Sequence, residues 1–137
     1  MIGNYGDIVF ETNDRRILTF NDFTRSSGGR WAKHDIVMKK PVLEFLGPDL
    51  DRITFTITLN GKHGVRPRHE MERWLIKERE GTADFLFIGN NALGVNRWVV
   101  KSVSQVWETV LNRGEVYSGK VDIELEEYVS MVKMVRK

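Results

Sequence analysis

The chain has 137 residues and a mass of 15.9 kDa, and its 21 basic and 19 acidic residues give a net charge of +2 at neutral pH. With 41% hydrophobic and 29% charged residues, the composition is typical of a folded globular domain and argues against a disordered or membrane-spanning chain. The absence of cysteine excludes disulfide bonds, thiolate metal sites and cysteine nucleophiles. The length fits one domain over residues 1–137. No signal-peptide pattern is visible, so we expect the chain to stay in the cytoplasm at least at first.

The first third of the chain predicts short strands separated by turn-forming residues. Ile8 to Glu11 and Ile17 to Phe23 are expected to form an opening hairpin around the turn residues Asn13-Asp14. The flexible run Ser26 to Gly29 predicts the exposed loop of a long hairpin, and Trp31 to Met38 the strand after it.

The next segment predicts a broken extended run and then the clearest strand of the chain. Val42 to Leu46 is extended, and Gly47-Pro48 is expected to break it, because proline cannot donate to a sheet ladder. In the strand Arg52 to Leu59, apolar residues alternate with threonines, which predicts one buried and one wet face. The expected wet-face threonines are Thr54, Thr56 and Thr58.

One amphipathic helix is predicted from Pro67 to Glu80, with Gly81 as its left-handed C-terminal cap. Glu70 and Arg73 form a favourable pair three residues apart, which we place on its wet side. The apolar residues at helical spacing are Met71, Trp74 and Leu75.

The C-terminal part returns to a strand pattern. Phe85 to Ile88 predicts a short strand, and Arg97 to Thr109 and Glu115 to Glu127 predict two long strands joined at residues 112–114. The tail from Val129 onwards mixes apolar residues with three cations, and two interpretations remain open: a final edge strand, or a segment over 129–137 that docks on a partner. The fold class is therefore α+β and mainly β.

Catalytic and metal-binding patterns are not found in the sequence. His69-Glu70 begins like a metalloprotease helix motif, but the second ligand position is Arg73. No serine lies in a nucleophile elbow, and no glycine-rich turn leads into a helix with the lysine and hydroxyl of a phosphate loop. We therefore assign no catalytic residue, cofactor or metal.

A nucleic-acid-binding sheet is the alternative from a different functional class. Trp31, Trp98 and Trp107 have basic neighbours, as in sheets on which bases stack. Trp98 and Trp107 are nine residues apart on one strand and so are expected on opposite faces. At least one of them is then a core residue, and the basic residues are dilute along the chain, so a specific nucleic-acid partner is not expected.

Six stretches, in their order and spacing, are similar to one protein family: YGDIVFE, ILTFNDF, RWAKHD, KPVLEFLGPDLDRITFTITL, RWVVKSVSQVW and VDIELEEYV. Together they resemble the GpU family of tail proteins from contractile-tailed phages and related phage-tail-like particles. The resemblance covers nearly the whole chain, and no single stretch is diagnostic. After Tyr128 the chain is longer and more cationic than in many members, which leaves the role of the tail open.

The resemblance implies a structural, non-enzymatic protein with a tail-tube-like β-sandwich or barrel, one flanking helix and a long hairpin loop. It implies a ring of six copies with an inner barrel, placed between the tail tube and the baseplate hub and in contact with the innermost sheath layer. The location implied is the virion tail, assembled in the host bacterial cytoplasm without a membrane partner. A head-proximal completion or terminator protein is the structural alternative.

Assembly contacts are expected on the hairpin over residues 26–40 and on the tail over residues 131–137, and the strand Arg52 to Leu59 is expected either to form the ring or to line its lumen. We expect deletion of residues 24–32 to leave a folded monomer that cannot assemble. The candidate interface residues are Arg25, Arg30, Trp31, Lys33, His34, Lys39, Thr54, Thr56, Thr58, Met131, Met134 and Arg136.

Overall fold

The computed structural model describes residues 2–12, 17–63, 65–114 and 116–129, which form eleven strands and one helix. In chain order they are β1 (Gly3–Tyr5), β2 (Ile8–Thr12), β3 (Ile17–Leu18), β4 (Phe20–Ser26), β5 (Gly29–Ile36), β6 (Lys39–Pro48), β7 (Arg52–Asn60), α1 (Pro67–Glu80), β8 (Leu86–Ile88), β9 (Asn91–Ala92), β10 (Arg97–Val110) and β11 (Val116–Tyr128). The predicted α+β, mainly β class is confirmed. The described strands do not close into a barrel, so the barrel form of the expectation does not hold for the single chain.

Three sheets organise these strands. A four-stranded antiparallel sheet has the order β10-β11-β7-β4, and a five-stranded sheet has the order β3-β2-β1-β8-β9. Strands β5 and β6 pair only with each other. A bridge between Asp84 and Trp98 joins the two larger sheets. The core lies between those sheets and α1, so the β5–β6 pair stands apart from it.

The core is built from strand alternation and one aromatic cluster. Every second side chain of β7 from Ile53 to Leu59 is buried, as predicted, and β11 alternates in the same way. Trp74 of the helix reaches this layer, with its ring stacked 5.6 Å from Tyr5 and 6.3 Å from Phe10. Burying such rings contributes about 2–3 kcal/mol each, so this cluster holds helix and sheets together.

The helix has the predicted bounds, and Gly81 ends it in the left-handed conformation with φ 66°. The Glu70–Arg73 pair forms at 3.3 Å, but Glu70 is only 4% exposed, so its placement on the wet side was wrong. Glu70 and Met71 are both on the side of α1 that packs on the core, and both are buried. The partly covered Arg73 pairs with the buried Glu70 carboxylate and so compensates its charge. Over the described ranges, no helix is long and apolar enough to cross a membrane.

Lys77 fastens the helix to the five-stranded sheet. Its ammonium lies 3.0 Å from Asp7 and 3.1 Å from Asp84, and 5.6 Å from the centre of the Tyr5 ring. Burial disfavours the charge of Lys77, but the hydrogen bonds to Asp7 and Asp84 outweigh it and raise its pKa. The Lys77 hydrogen bond holds the pKa of Asp7 below its usual value, and burial raises the pKa of Tyr5, with Asp84 adding to the rise.

The opening hairpin forms where Glu11 and Thr12 of β2 pair with Leu18 and Ile17 of β3, while its predicted turn residues lie outside the described ranges. The strand predicted over Ile17 to Phe23 was wrong in extent, because it is split into β3 and β4, which belong to different sheets. The second hairpin needs a correction. Its tip is Val37-Met38, and Ser27-Gly28 instead forms the base at which the chain leaves the body. Met38 adopts φ 61°, a turn conformation that composition did not signal, because glycine or asparagine is the usual residue there.

Strand β6 also differs from its prediction, because it continues through Gly47 and Pro48. Pro48 is tolerated because β5 is the only described partner of β6, which makes β6 an edge strand. The two long C-terminal strands are confirmed to within one residue, with a tight turn at Asn112–Gly114.

Candidate assembly surfaces

The first surface is the arm, which we define as residues 29–48, the β5–β6 pair with its turn. The arm leaves the body at a closed base, where the amide of Asp49 donates to the carbonyl of Gly28 at 3.0 Å. Isolated two-stranded hairpins are marginally stable in water, so an arm of this length is expected to gain order from a covering partner.

Both faces of the arm and its tip expose apolar side chains. On one face Trp31 packs on Phe45 with ring centres 4.9 Å apart, and both remain more than half exposed. At the tip, Val37 is 88% and Met38 100% exposed. The remaining exposed apolar residues of the arm are Ile36, Val42, Leu43 and Leu46. Contiguous apolar exposure on this scale marks an interaction site on a soluble protein.

Cations surround the apolar surface of the arm. Arg30 donates to the carbonyls of Pro48 at 3.2 Å and Leu46 at 3.3 Å, which straps the two strands together near the base. His34 lies 2.8 Å from Glu44 on the opposite face from Trp31. The arm carries more cations than acids, with Arg30, Lys33, Lys39 and Lys40 against Asp35 and Glu44.

Among the predicted contact residues, five lie together on the arm: Arg30, Trp31, Lys33, His34 and Lys39. Arg25 does not join them. It lies on β4, binds Asp51 at 2.7 Å and covers the Trp98 ring at 5.7 Å, so it belongs to the body. Met131, Met134 and Arg136 lie outside the described residues.

The second surface is the wet face of the four-stranded sheet, which we call the hydroxyl face. Thr54, Thr56 and Thr58 project there from β7, as predicted. The Thr56 hydroxyl donates to Asp122 at 2.6 Å, and Ser102 donates to Glu124 at 3.2 Å. A shallow cavity of about 370 Å³ opens on this face. Its polar lining consists of hydroxyls and carboxylates from Asp22, Thr24, Thr54, Thr56, Ser102, Ser104, Asp122 and Glu124.

The third surface consists of the two outer edges of that sheet, β4 and β10, which sequence reasoning did not single out. Strand β4 has a bulge between Asn21 and Thr24, with Asp22 at φ 56°. From Lys101 to Val110, no residue of β10 is buried. Trp107 in this stretch is 44% exposed and lies under the Arg68 guanidinium at 5.4 Å.

A signal for the β10 edge was present in the sequence. Residues 101–111 place apolar and polar side chains without strict alternation, a pattern that fits neither a half-buried strand nor a solvated one.

In the parts of the chain that the structure describes, no three histidine or acidic residues lie close enough to hold a metal ion.

An apolar arm and two open sheet edges are features of a protein that assembles with other chains. A family model described as Phage P2 GpU matches residues 6–130. The chain therefore belongs to the Phage P2 GpU family, and it is a structural protein of the phage tail. No curated protein sequence matches the chain.

Proposed function

We propose that the protein is a ring subunit that joins the tail tube to the baseplate hub, works without catalysis, and forms one domain over residues 1–137. The observation that carries the ring is the four-stranded sheet, whose outer strands β4 and β10 pair on their outer sides with no other described strand. Its strands alternate in direction from β10 to β4. Because the number of strands is even, β4 of one copy meets β10 of the next antiparallel, and the alternation continues around a closed ring.

The position of the two edges along the strands supports closure. Strand β4 lies beside residues 52–57 of β7, whereas the exposed half of β10, from Lys101 to Val110, is level with residues 54–60. Joining the two edges therefore shifts each copy along the strand direction. Closing a sheet into a barrel requires such a stagger, since barrel strands tilt relative to the axis.

The hydroxyl face would then line the inner wall of the ring. Threonine, serine and charged side chains keep such a wall wet and non-adhesive, with Arg52 and Lys120 interspersed among the carboxylates. The apolar arm projects from the end of the sheet at which Ser26 pairs with Arg52. We propose that the arm, together with the tail over residues 129–137, contacts the tube protein, the hub or the innermost sheath layer.

Two other candidates make different predictions. A head-proximal completion or terminator protein would use the same surfaces at the opposite end of the tail. A nucleic-acid-binding sheet is less well supported, because Trp98 is buried, Trp31 lies on the arm and the exposed sheet face carries carboxylates.

Cryo-electron microscopy of intact tails, with this chain located by an added epitope, tests the placement. Density next to the hub with sixfold symmetry is the expected result. Density at the head-proximal end would favour the terminator, and tails that lack the chain altogether would contradict both. Assembly is expected in the host cytoplasm, so tails purified from lysed cells should already contain the protein.

A further inference from the structure

The exposed half of β10, residues 101–110, is contacted near its beginning by a side chain of the helix. Nearer the start of the strand, the backbone of Trp98 bonds to Asp84 in both directions, at 2.8 and 3.0 Å. At Val103 the outward amide donates to the side chain of Glu78, with 3.1 Å between the nitrogen and Oε2. Glu78 comes from α1, so a helix side chain occupies a donor that an added strand would use.

The register explains why this donor points outward. Before the bulge, the backbone groups of Trp98 point away from β11, as do those of every second residue. The bulge between Val100 and Ser102 shifts this pattern by one residue, so that after it the backbone groups of Val103 point away from β11. Further along, the regular register makes Gln105 and Trp107 the next residues whose backbone groups point away from β11. Val103 is therefore the first position of an outward row that continues along the exposed half of the strand.

Gln105, the next outward backbone position, carries a buried donor on its side chain. Its Oε1 accepts from the Trp107 indole at 3.1 Å, but its Nε2 is buried and has no hydrogen-bond acceptor among the described residues. A buried donor without an acceptor costs stability. Gln105 pairs with the buried Val121, so this side chain lies on the helix side of the sheet, and the cost falls on β10 of the isolated chain.

The helix position of Glu78 is unfavourable for the helix itself. Glu78 lies in the last turn of α1, where the partial negative charge of the helix end disfavours an acid. Glu80 shares this turn but is exposed, and the described structure gives its side chain no partner. Glu78 and Glu80 are therefore two acids of the same helical turn, of which Glu78 accepts from the Val103 amide and Glu80 does not.

We propose that Glu78 is a removable cover of the β10 edge. In the isolated chain it holds the Val103 amide, and during assembly it yields this amide to a backbone carbonyl of β4 from a second copy. Strand β4 suits this role because it is the opposite edge of the same sheet, meets β10 antiparallel, and its seven residues equal the length of the stretch 103–109, which begins at Val103. The inference rests on the proposed ring.

The test compares Glu78→Ala, Glu78→Gln and Glu80→Ala with the unchanged chain. Each is mixed with its tube protein over a concentration series, and ring formation is followed by sedimentation velocity. Glu78→Ala should form rings at a concentration about tenfold lower, because the side-chain acceptor that must be displaced is gone. Glu80→Ala should leave the midpoint unchanged, and Glu78→Gln should stay near the unchanged chain because its amide oxygen still accepts.

Hydrogen exchange of the monomers gives a readout that does not depend on assembly. The Val103 amide should exchange slowly in the unchanged chain and at least about tenfold faster in Glu78→Ala, with Glu80→Ala unaffected. Equal midpoints in all four chains would overturn the cover and leave the ring intact. Failure of all four to form rings would overturn the proposed ring, and the proposed role of Glu78 with it.

Discussion

Lys77 gathers two carboxylates from different segments, Asp7 of the β1–β2 turn and Asp84 before β8. Because Lys77 is mostly covered while Asp7 is 78% exposed, the two partners contribute differently. The hydrogen bond to Asp84 lies against the core, where water screens charge weakly. The pair with Asp7 lies largely in solvent, where an ion pair is worth at most about 1 kcal/mol.

Asp7→Asn should lower stability slightly at neutral pH, and the difference should depend on pH. The folded-state pKa of Asp7 lies below 3.8, so its contribution is present above about pH 4 and is lost as the pH falls through the folded value. The folded-state pKa of Lys77 lies above 10.5, so its contribution is present below pH 10.5 and is lost above it. Thermal melts from pH 2 to 8 check the contribution of Asp7, with Glu72→Gln as an exposed control. A constant Asp7→Asn difference across that range would contradict the assignment.

Gly119 of β11 leaves no room for a side chain between Met71 of α1 and the backbone of β10. A Cβ atom there would lie 2.6 Å from the Met71 methyl and 2.6 Å from the Val106 carbonyl oxygen. Met71 can move, but the β10 backbone is held by its ladder, so Gly119→Ala should cost about 1–3 kcal/mol. Gly28→Ala has nothing within 4 Å and serves as the control. Urea unfolding measures both, and equal midpoints would show that the sheet accommodates the methyl group.

At the scale of elements, the arm is separable from the body because it pairs with no other described strand. The deletion of residues 24–32 expected from the sequence would remove part of β4 and part of β5, and so would damage the body. The better cut removes residues 29–48 and joins Gly28 to Asp49, whose backbones already meet through a 3.0 Å hydrogen bond.

The chain without residues 29–48 should fold with near-unchanged stability and fail to enter tails. The core residues all lie outside the arm, so circular dichroism and urea unfolding should match the full chain to within about 1 kcal/mol. Incorporation is measured by complementing a tail preparation that lacks the protein. A milder variant, Val37→Ser with Met38→Gly, should weaken incorporation if the apolar tip is the contact. Normal incorporation of the shortened chain would remove the arm from the assembly account.

The sequence predicted the elements whose periodicity is set by their own burial. Strand β7, strand β11 and helix α1 show alternation or helical spacing, and their bounds agree with the prediction to within a residue or two. The bounds of the arm were predicted wrongly because both of its faces are exposed, so burial within the chain imposes no alternation on its sequence. The cover by Glu78 was not predictable, since it joins residues 25 positions apart through tertiary packing.

At the scale of the whole molecule, exposed surfaces divide by chemistry. The hydroxyl face is polar and bears carboxylates, whereas the arm is apolar and cationic, and open edges flank the sheet between them. A monomer gains little from such a division, because its exposed apolar arm invites aggregation. A ring would use the three surfaces separately, with the hydroxyl face inward, the edges at the joints and the arm towards neighbouring proteins.

The most direct test of this account is the mass and shape of the purified chain, alone and then mixed with its tube protein. Light scattering gives the mass, and negative-stain microscopy of the same sample gives the shape. The account predicts rings of six, formed by the chain alone or on the ends of tubes. A chain that stays monomeric and does not bind the tube protein at any concentration would contradict it.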